Sequence, residues 1–197
     1  MTRDYAPLNV IPLQKGVAYA QPTQALAATV TLDSPAIDVM TDFSKTTAVI
    51  VNHAESVDEA HLRMRQRGVR LLLVLDETRR VLGIVTATDV MGEKPMQVSE
   101  ARRVPHHDVT VAEIMTPQAS LEVLKIEDVR AAKVGHLVAT LKRVGRQHSV
   151  VVETGADGRQ TVRGLISISQ VARQLGVPIQ TSEVARTFAE IEATLSH

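Results

Sequence analysis

Hydrophobic and polar positions follow one order that occurs twice along the chain. In the first copy, residues 47–52 predict a strand, and the continuous apolar run 70–76 predicts a buried one. Between them, Ser56 and Glu59 have the spacing of a capping box, which predicts a helix beginning at the next residue. Residues 81–86 predict a third strand, which a short helix follows.

The second copy repeats this order with a longer turn. Residues 121–126 alternate as a strand does, and apolar residues at helical spacing end at Gly145, just as the first helix ends at Gly68. Residues 148–153 and 161–167 predict two further strands, and a helix follows. Both copies therefore read as β-α-β-β-α units.

Matching residues support an internal duplication. Met40 and Met115 lie 75 residues apart, and Gly83 and Gly164 lie 81 apart, so the insertions fall in a loop. We expect an α/β (α+β) fold in which the two repeats pack about a pseudo-twofold axis. The predicted divisions are an N-terminal arm (1–35), repeat 1 (36–92), a polar linker (93–108), repeat 2 (109–176) and a C-terminal helix (177–197).

The composition excludes several classes of protein. The chain has 197 residues, and 22 Lys and Arg balance 22 Asp and Glu, which disfavours a protein that binds nucleic acid with its whole surface. It has no Cys, which excludes disulfides and thiolate nucleophiles. No apolar run approaches the roughly 20 residues that span a bilayer, and no signal peptide is evident. We expect a cytoplasmic protein with neither a membrane nor a nucleic-acid partner.

Neither catalysis nor metal binding has a motif in this sequence. The phosphate-binding loop, the dinucleotide-binding glycine pattern and the nucleophile elbow are all missing, so we expect no enzyme. Residues 106–108 (HHD) contain metal-ligand residue types, but adjacent side chains in a linker rarely point at one ion. We therefore expect no metal site.

The run 83–89 (GIVTATD) resembles the signature that closes each repeat of tandem cystathionine-β-synthase (CBS) domain pairs, or Bateman modules. The duplicated order of elements is similar too. The resemblance implies clefts between the repeats that bind adenosine nucleotides, and it implies a homodimer that regulates another, unidentified protein.

The resemblance assigns roles to residues of the first repeat. Asp89 would accept hydrogen bonds from both ribose hydroxyls, because an ionised carboxylate is a strong acceptor, and Thr86 and Thr88 would lie beside the sugar and phosphate. Thr86 and Asp89 also have the spacing of a helix cap, and the two roles do not exclude each other. The residues expected to border the adenine are Val49, Val51, Arg70 and Leu71.

In the second repeat, Ser167 and Gln170 replace Thr86 and Asp89. Ser167 and Gln170 are expected still to form a capping box, but the carboxylate is lost, so we expect a second, weaker site that includes His148. A threonine, Thr88, stands where relatives often carry a basic residue, which disfavours a triphosphate such as ATP and favours an AMP-like or adenosine-type ligand. The candidate phosphate-binding side chains are Arg70, Arg146, His148 and Lys45. A scaffold that dimerises without any ligand is the alternative function.

Overall fold

The computed structural model describes residues 26–177, and these form two four-stranded sheets with helices on their outer faces. The mixed α+β architecture with two related halves agrees with the sequence prediction. The strands are β1 (Met40–Asp42), β2 (Ile50–Asn52), β3 (Leu71–Leu75), β4 (Val81–Thr86), β5 (Thr116–Pro117), β6 (Val123–Lys125), β7 (His148–Thr154) and β8 (Gln160–Ser167).

The first long helix begins at the predicted capping box, and both long helices end at the predicted glycines. The Ser56 hydroxyl accepts from the Glu59 N–H at 3.2 Å, and the Glu59 carboxylate accepts from the Ser56 N–H at 2.8 Å. Gly68 and Gly145 terminate these helices with φ of 63° and 62°, the left-handed region that glycine enters without strain. The helices are α1 (Val57–Arg67), α2 (Ala87–Met91), α3 (Lys94–Arg102), α4 (Val111–Ile114), α5 (Ile126–Ala131), α6 (Val134–Val144) and α7 (Ile168–Gln174).

The two sheets have the same topology. The first has the strand order β2-β3-β4-β5, and the second has the order β6-β7-β8-β1. In each sheet the first two strands are parallel, because a helix connects them, and the later pairs are antiparallel.

The repeats exchange their opening segments. Strand β1 belongs to repeat 1 by sequence but pairs with β8 of repeat 2, and β5 belongs to repeat 2 but pairs with β4 of repeat 1. A Cβ placed on Gly83 would lie 2.2 Å from the Thr116 carbonyl oxygen, and one on Gly164 would lie 2.5 Å from that of Thr41. Glycine therefore lets each exchanged strand approach closely. The packed units thus differ from the linear ranges 36–92 and 109–176.

Three apolar clusters form the core. One lies under each helical layer, and each contains the exchanged segment of the other repeat: Met40 packs in the second unit and Ile114 in the first. The third cluster lies between the two sheets and joins Leu73 and Ile84 to Val150 and Val152. The sheets therefore face each other across a shared aliphatic layer.

The segments outside the repeats are partly described. Residues 93–108, expected as a linker, contain α3 and a 3-10 helix, His106–Asp108. Residues 26–35 of the expected arm lie on the second unit, where the Val30 N–H donates to the Gln174 carbonyl at 2.8 Å. The remainder of the arm and the predicted C-terminal helix beyond residue 177 lie outside the described residues.

Candidate functional site

Two clefts lie between the repeats, and each takes one wall from each repeat. Cleft 1 has a volume of about 330 Å³, and cleft 2 has about 410 Å³. Cleft 1 is lined by Thr86, Thr88 and Asp89 of the first repeat and by Glu122, Arg146 and His148 of the second. Cleft 2 is lined by Val49, Arg67, Arg70 and Leu71 of the first repeat and by Ser167 and Gln170 of the second.

The structure divides the residues that the sequence analysis grouped into one site. Thr86, Thr88 and Asp89 lie in cleft 1, whereas the expected adenine-bordering residues Val49, Arg70 and Leu71 lie in cleft 2. The reason is that each cleft combines the end of one repeat with the beginning of the other. Val51 is 1% exposed inside the core and lines neither cleft. Ser167, Gln170 and His148 do lie together, in cleft 2.

Asp89 is 9% exposed and has partners on both carboxylate oxygens. Its Oδ2 accepts from the Thr86 N–H at 2.9 Å and from the Thr86 hydroxyl at 2.6 Å. Its Oδ1 accepts from Lys94 Nζ, which also donates to the Ile114 carbonyl at 3.2 Å. The expected capping box is thus confirmed, and a lysine that the sequence analysis did not consider joins it.

The carboxylate nevertheless keeps acceptor capacity. Two carboxylate oxygens offer about four acceptor sites, of which Oδ2 uses two and Oδ1 uses one for Lys94. One site on Oδ1 is therefore left for a further donor, and Asp89 lines cleft 1. Displacement of Lys94, which is about half exposed, would provide a second.

The equivalent positions in cleft 2 are arranged differently. The prediction that Ser167 and Gln170 keep a capping box is wrong, because the Ser167 side chain makes no capping hydrogen bond. The Gln170 side-chain oxygen instead accepts from Arg173 at 3.0 Å, so it faces the next turn of α7. The Ser167 hydroxyl is therefore not committed to the helix end.

The two clefts also differ in charge. Asp89, Glu122 and Arg146 are the charged residues that line cleft 1, and Arg146 lies 3.5 Å from Glu122. The charged residues that line cleft 2 are three arginines, Arg67, Arg70 and Arg173. Cleft 2 is consequently the more positive environment. Lys45, another expected cation, lines the neighbouring hollow outside cleft 2.

His148 lines both clefts. The surrounding protein desolvates the imidazole and the Arg70 charge opposes its protonation, so the pKa of His148 falls to about 4 although Asp89 acts in the other direction. The ring is therefore neutral at pH 7.

Sequence reasoning missed Lys94, Glu122, Arg67 and Arg173. Pro95 in the first turn of α3 is a helix-start signal inside the expected linker, and it would have placed Lys94 near the end of α2. Glu122, Arg67 and Arg173 could be assigned to a cleft only once the packing of the two repeats was known.

Residues 26–177 show neither a cluster of metal-binding side chains nor a membrane-spanning helix. No three His, Asp or Glu side chains there gather in a group that could hold a metal ion. None of the helices in that range has the length and apolar character needed to cross a bilayer.

Comparisons with known proteins match a family model over part of the chain and solved structures of similar fold over most of it. Residues 36–95 match the model of the CBS domain. No curated protein matches the sequence.

The solved structures similar to this chain include three with a TM-score above 0.5. One is a conserved protein from Pyrococcus horikoshii, with 20% identity, a TM-score of 0.54 and coverage of 78% of this chain and 100% of that one. CBSX2 in complex with AMP has 21% identity, a TM-score of 0.51 and coverage of 71% and 94%. A protein with CBS domains from Burkholderia ambifaria has 22% identity, a TM-score of 0.51 and coverage of 69% and 89%.

Proposed function

We propose that this chain, a tandem CBS (Bateman) module by its domain match and its fold, is a regulatory protein that binds an adenine nucleotide between its repeats. An AMP-like ligand occupies cleft 1. Its binding is passed on by a change in conformation or in oligomeric state, and the module itself is not an enzyme. The output acts on another protein.

The observation that carries this proposal is the position of Asp89. A buried carboxylate with one remaining acceptor site lies in the wall of a cleft of about 330 Å³. A ribose offers hydroxyl donors to such an acceptor, and charge-assisted bonds of this kind are among the stronger ones. The aliphatic residues Ile84, Leu121 and Val150 in the same cleft provide apolar surface for the base.

The charges divide the ligands between the clefts. Cleft 1, where Glu122 offsets Arg146, suits a nucleotide with few phosphates. Cleft 2 has three arginines but only Gln170 in place of the carboxylate, so it binds AMP more weakly and favours nucleotides with more phosphates. ADP and ATP are therefore the ligands to compare with AMP.

A ligand in either cleft contacts both repeats, which provides a route for signalling. It shifts the arrangement of the repeats, or of two subunits in a homodimer, only as far as its affinity differs between two arrangements. CBSX2 was crystallised in complex with AMP, which supports the choice of ligand class here.

A thermal-shift panel of AMP, ADP, ATP, NADH and S-adenosylmethionine tests the proposal. Binding to the folded state alone raises stability by RT ln(1 + [L]/Kd), so a ligand at 100 times its Kd adds about 2.7 kcal/mol. We expect the melting temperature to rise with AMP. An unchanged melting temperature with every ligand at millimolar concentration would contradict the proposal.

A ligand-independent dimerisation or scaffold protein is the second candidate. The observation that favours it is that Lys94 and Thr86 already engage both oxygens of Asp89. Native mass spectrometry of freshly purified protein separates the two candidates. A nucleotide-free dimer whose mass and stability do not change when AMP is added favours the scaffold. A nucleotide that copurifies with the protein favours the sensor.

A further inference from the structure

His148 occupies a position where one repeat has a polar residue and the other has an apolar one. It pairs with Ser167 in the β7–β8 ladder, just as Leu71 pairs with Thr86 in the β3–β4 ladder. Leu71 is therefore its counterpart in the first repeat. Leu71 is an apolar residue that lines cleft 2 alone, whereas His148 is polar and lines both clefts.

The imidazole of His148 is unpartnered. Neither ring nitrogen has a hydrogen-bond partner among residues 26–177, and the residue is partly exposed. Neither nitrogen is among the fully buried polar atoms that lack a partner in the described residues. Because His148 lines both clefts, its ring nitrogens are open to a ligand there.

A neutral imidazole can serve only one acceptor. It carries one N–H donor and one lone-pair acceptor, whereas the protonated ring has two donors. Phosphate oxygens only accept, so they need a donor. At neutral pH the ring can thus donate to a ligand in cleft 1 or to one in cleft 2, but not to both.

Charged groups face the ring from several elements. Asp89 of α2 faces the ring and forms an ion pair with Lys94 of α3. Arg70, which precedes β3, also faces the ring, and its charge opposes protonation. The other charged side chains lining the clefts beside it are Glu122, Arg146, Arg67 and Arg173. Desolvation and the Arg70 charge outweigh the opposing effect of Asp89, so the pKa of His148 stays low and the neutral ring has a single donor.

We propose that His148 is a ligand-contact residue shared by both clefts, so that nucleotides in the two clefts compete for its one N–H and bind with negative cooperativity. This rests on the nucleotide-binding function proposed above. Occupying one cleft then weakens AMP binding in the other by about threefold to tenfold, the value of one hydrogen bond.

Paired blocking variants isolate each cleft. Thr88 and Ser169 occupy the same position of the two repeats, so Thr88→Trp fills cleft 1 and Ser169→Trp fills cleft 2. Glu122→Trp and Thr47→Trp obstruct the same clefts from the opposite walls and provide a second pair. AMP is titrated at pH 7.5 by calorimetry into each variant and into the wild type.

In the wild type, the second AMP molecule binds to a protein whose other cleft is already occupied. We expect its affinity to be threefold to tenfold lower than the affinity of the same cleft in the variant whose other cleft is blocked. His148→Leu, which copies Leu71, abolishes that difference. In histidine-labelled protein, the ring ¹⁵N signals of His148, assigned by their loss in His148→Leu, shift on AMP binding in both blocked variants.

Two results overturn the inference and leave the proposed function intact. One is equal affinity of a cleft whether or not the other is occupied. The other is a His148 signal that responds in only one blocked variant. By contrast, AMP that binds to no variant and not to the wild type refutes the nucleotide-binding function itself.

Discussion

The two clefts have one backbone frame and different side chains. The Ala87 N–H donates to the Arg70 carbonyl at 2.9 Å, and the Ile168 N–H donates to the Gln147 carbonyl at the same distance. The frame around each strand-to-helix junction has thus survived duplication. The differing pairs are Thr86 and Ser167, Asp89 and Gln170, Arg70 and Gln147, and Leu71 and His148.

Two sites built on one backbone frame have acquired separate chemistry through substitutions at matched positions. Cleft 1 has the carboxylate with its lysine partner and nearly balanced charges. Cleft 2 has the arginines and an uncommitted serine. Replacing a residue in one cleft by its counterpart from the other cleft therefore tests which side chain causes the difference in ligand binding.

The largest expected effect concerns His148 and acid stability. Its pKa is lowered in the folded state, so between pH 6.5 and 4 the unfolded state binds more protons and folding stability falls as pH falls. At 1.36 kcal/mol per pKa unit, the loss reaches about 3 kcal/mol. Urea unfolding across this range is expected to show His148→Leu losing less stability than the wild type. Parallel curves would contradict the buried neutral histidine.

The next effect concerns the glycines that admit the exchanged strands. Gly83→Ala would bring a methyl group against the Thr116 carbonyl beside cleft 1, and Gly164→Ala would act beside cleft 2. Overpacking of this kind costs about 1–3 kcal/mol, so thermal unfolding is expected at lower temperature. Gly135→Ala is the matched control, because its Cβ would meet its nearest atom at 3.4 Å. Equal stability of all three variants would rule out the close approach.

Asp89→Gln gives cleft 1 the residue of cleft 2. It removes the charged acceptor, so AMP affinity in cleft 1 is expected to fall about tenfold, as for the loss of one charge-assisted hydrogen bond. Calorimetry with Ser169→Trp in the background reports on cleft 1 alone. Gln170→Asp is the reciprocal variant, and it is expected to strengthen AMP binding in cleft 2. Unchanged affinity in Asp89→Gln would remove the carboxylate from the ligand site.

The smallest expected effect concerns Arg70. Arg70→Gln copies Gln147 and removes one of three cations from cleft 2. We expect ATP binding there to weaken about threefold to fivefold, and AMP binding to change less, because surface charge pairs contribute up to about 1 kcal/mol. The ratio of the two affinities is measured in the Thr88→Trp background. If Arg70→Gln leaves the ratio of ATP affinity to AMP affinity the same as in Thr88→Trp alone, Arg70 does not contribute to phosphate binding in cleft 2.

The sequence was sufficient to predict the repeats and their main elements. The run around β3 is continuously apolar because that strand is buried on both faces, and the Ser56 and Gly68 signals bound α1. The exchange of β1 and β5 could not be predicted in this way. Strand β1 pairs with β8, far away in sequence, and the alternation of three residues does not identify a partner sheet.

In the candidate site, too, only the contacts between residues close in sequence could be predicted. Thr86 and Asp89 follow from a local motif, so their proximity was expected. Arg70 and Leu71 were assigned to the same cleft by the family resemblance, but they line the other cleft, because each cleft takes its walls from both repeats. The Lys94 partner of Asp89 depends on how α3 packs against α2, which hydrophobic patterning does not specify.

The ribose-binding role of Asp89 is decided by a crystal structure of the protein with AMP, through the distance from Asp89 Oδ1 to the ribose hydroxyls. We predict AMP in cleft 1 with at least one ribose oxygen within about 3 Å of Oδ1, a normal hydrogen-bond length. AMP bound elsewhere, with Asp89 still held only by Thr86 and Lys94, would contradict the account.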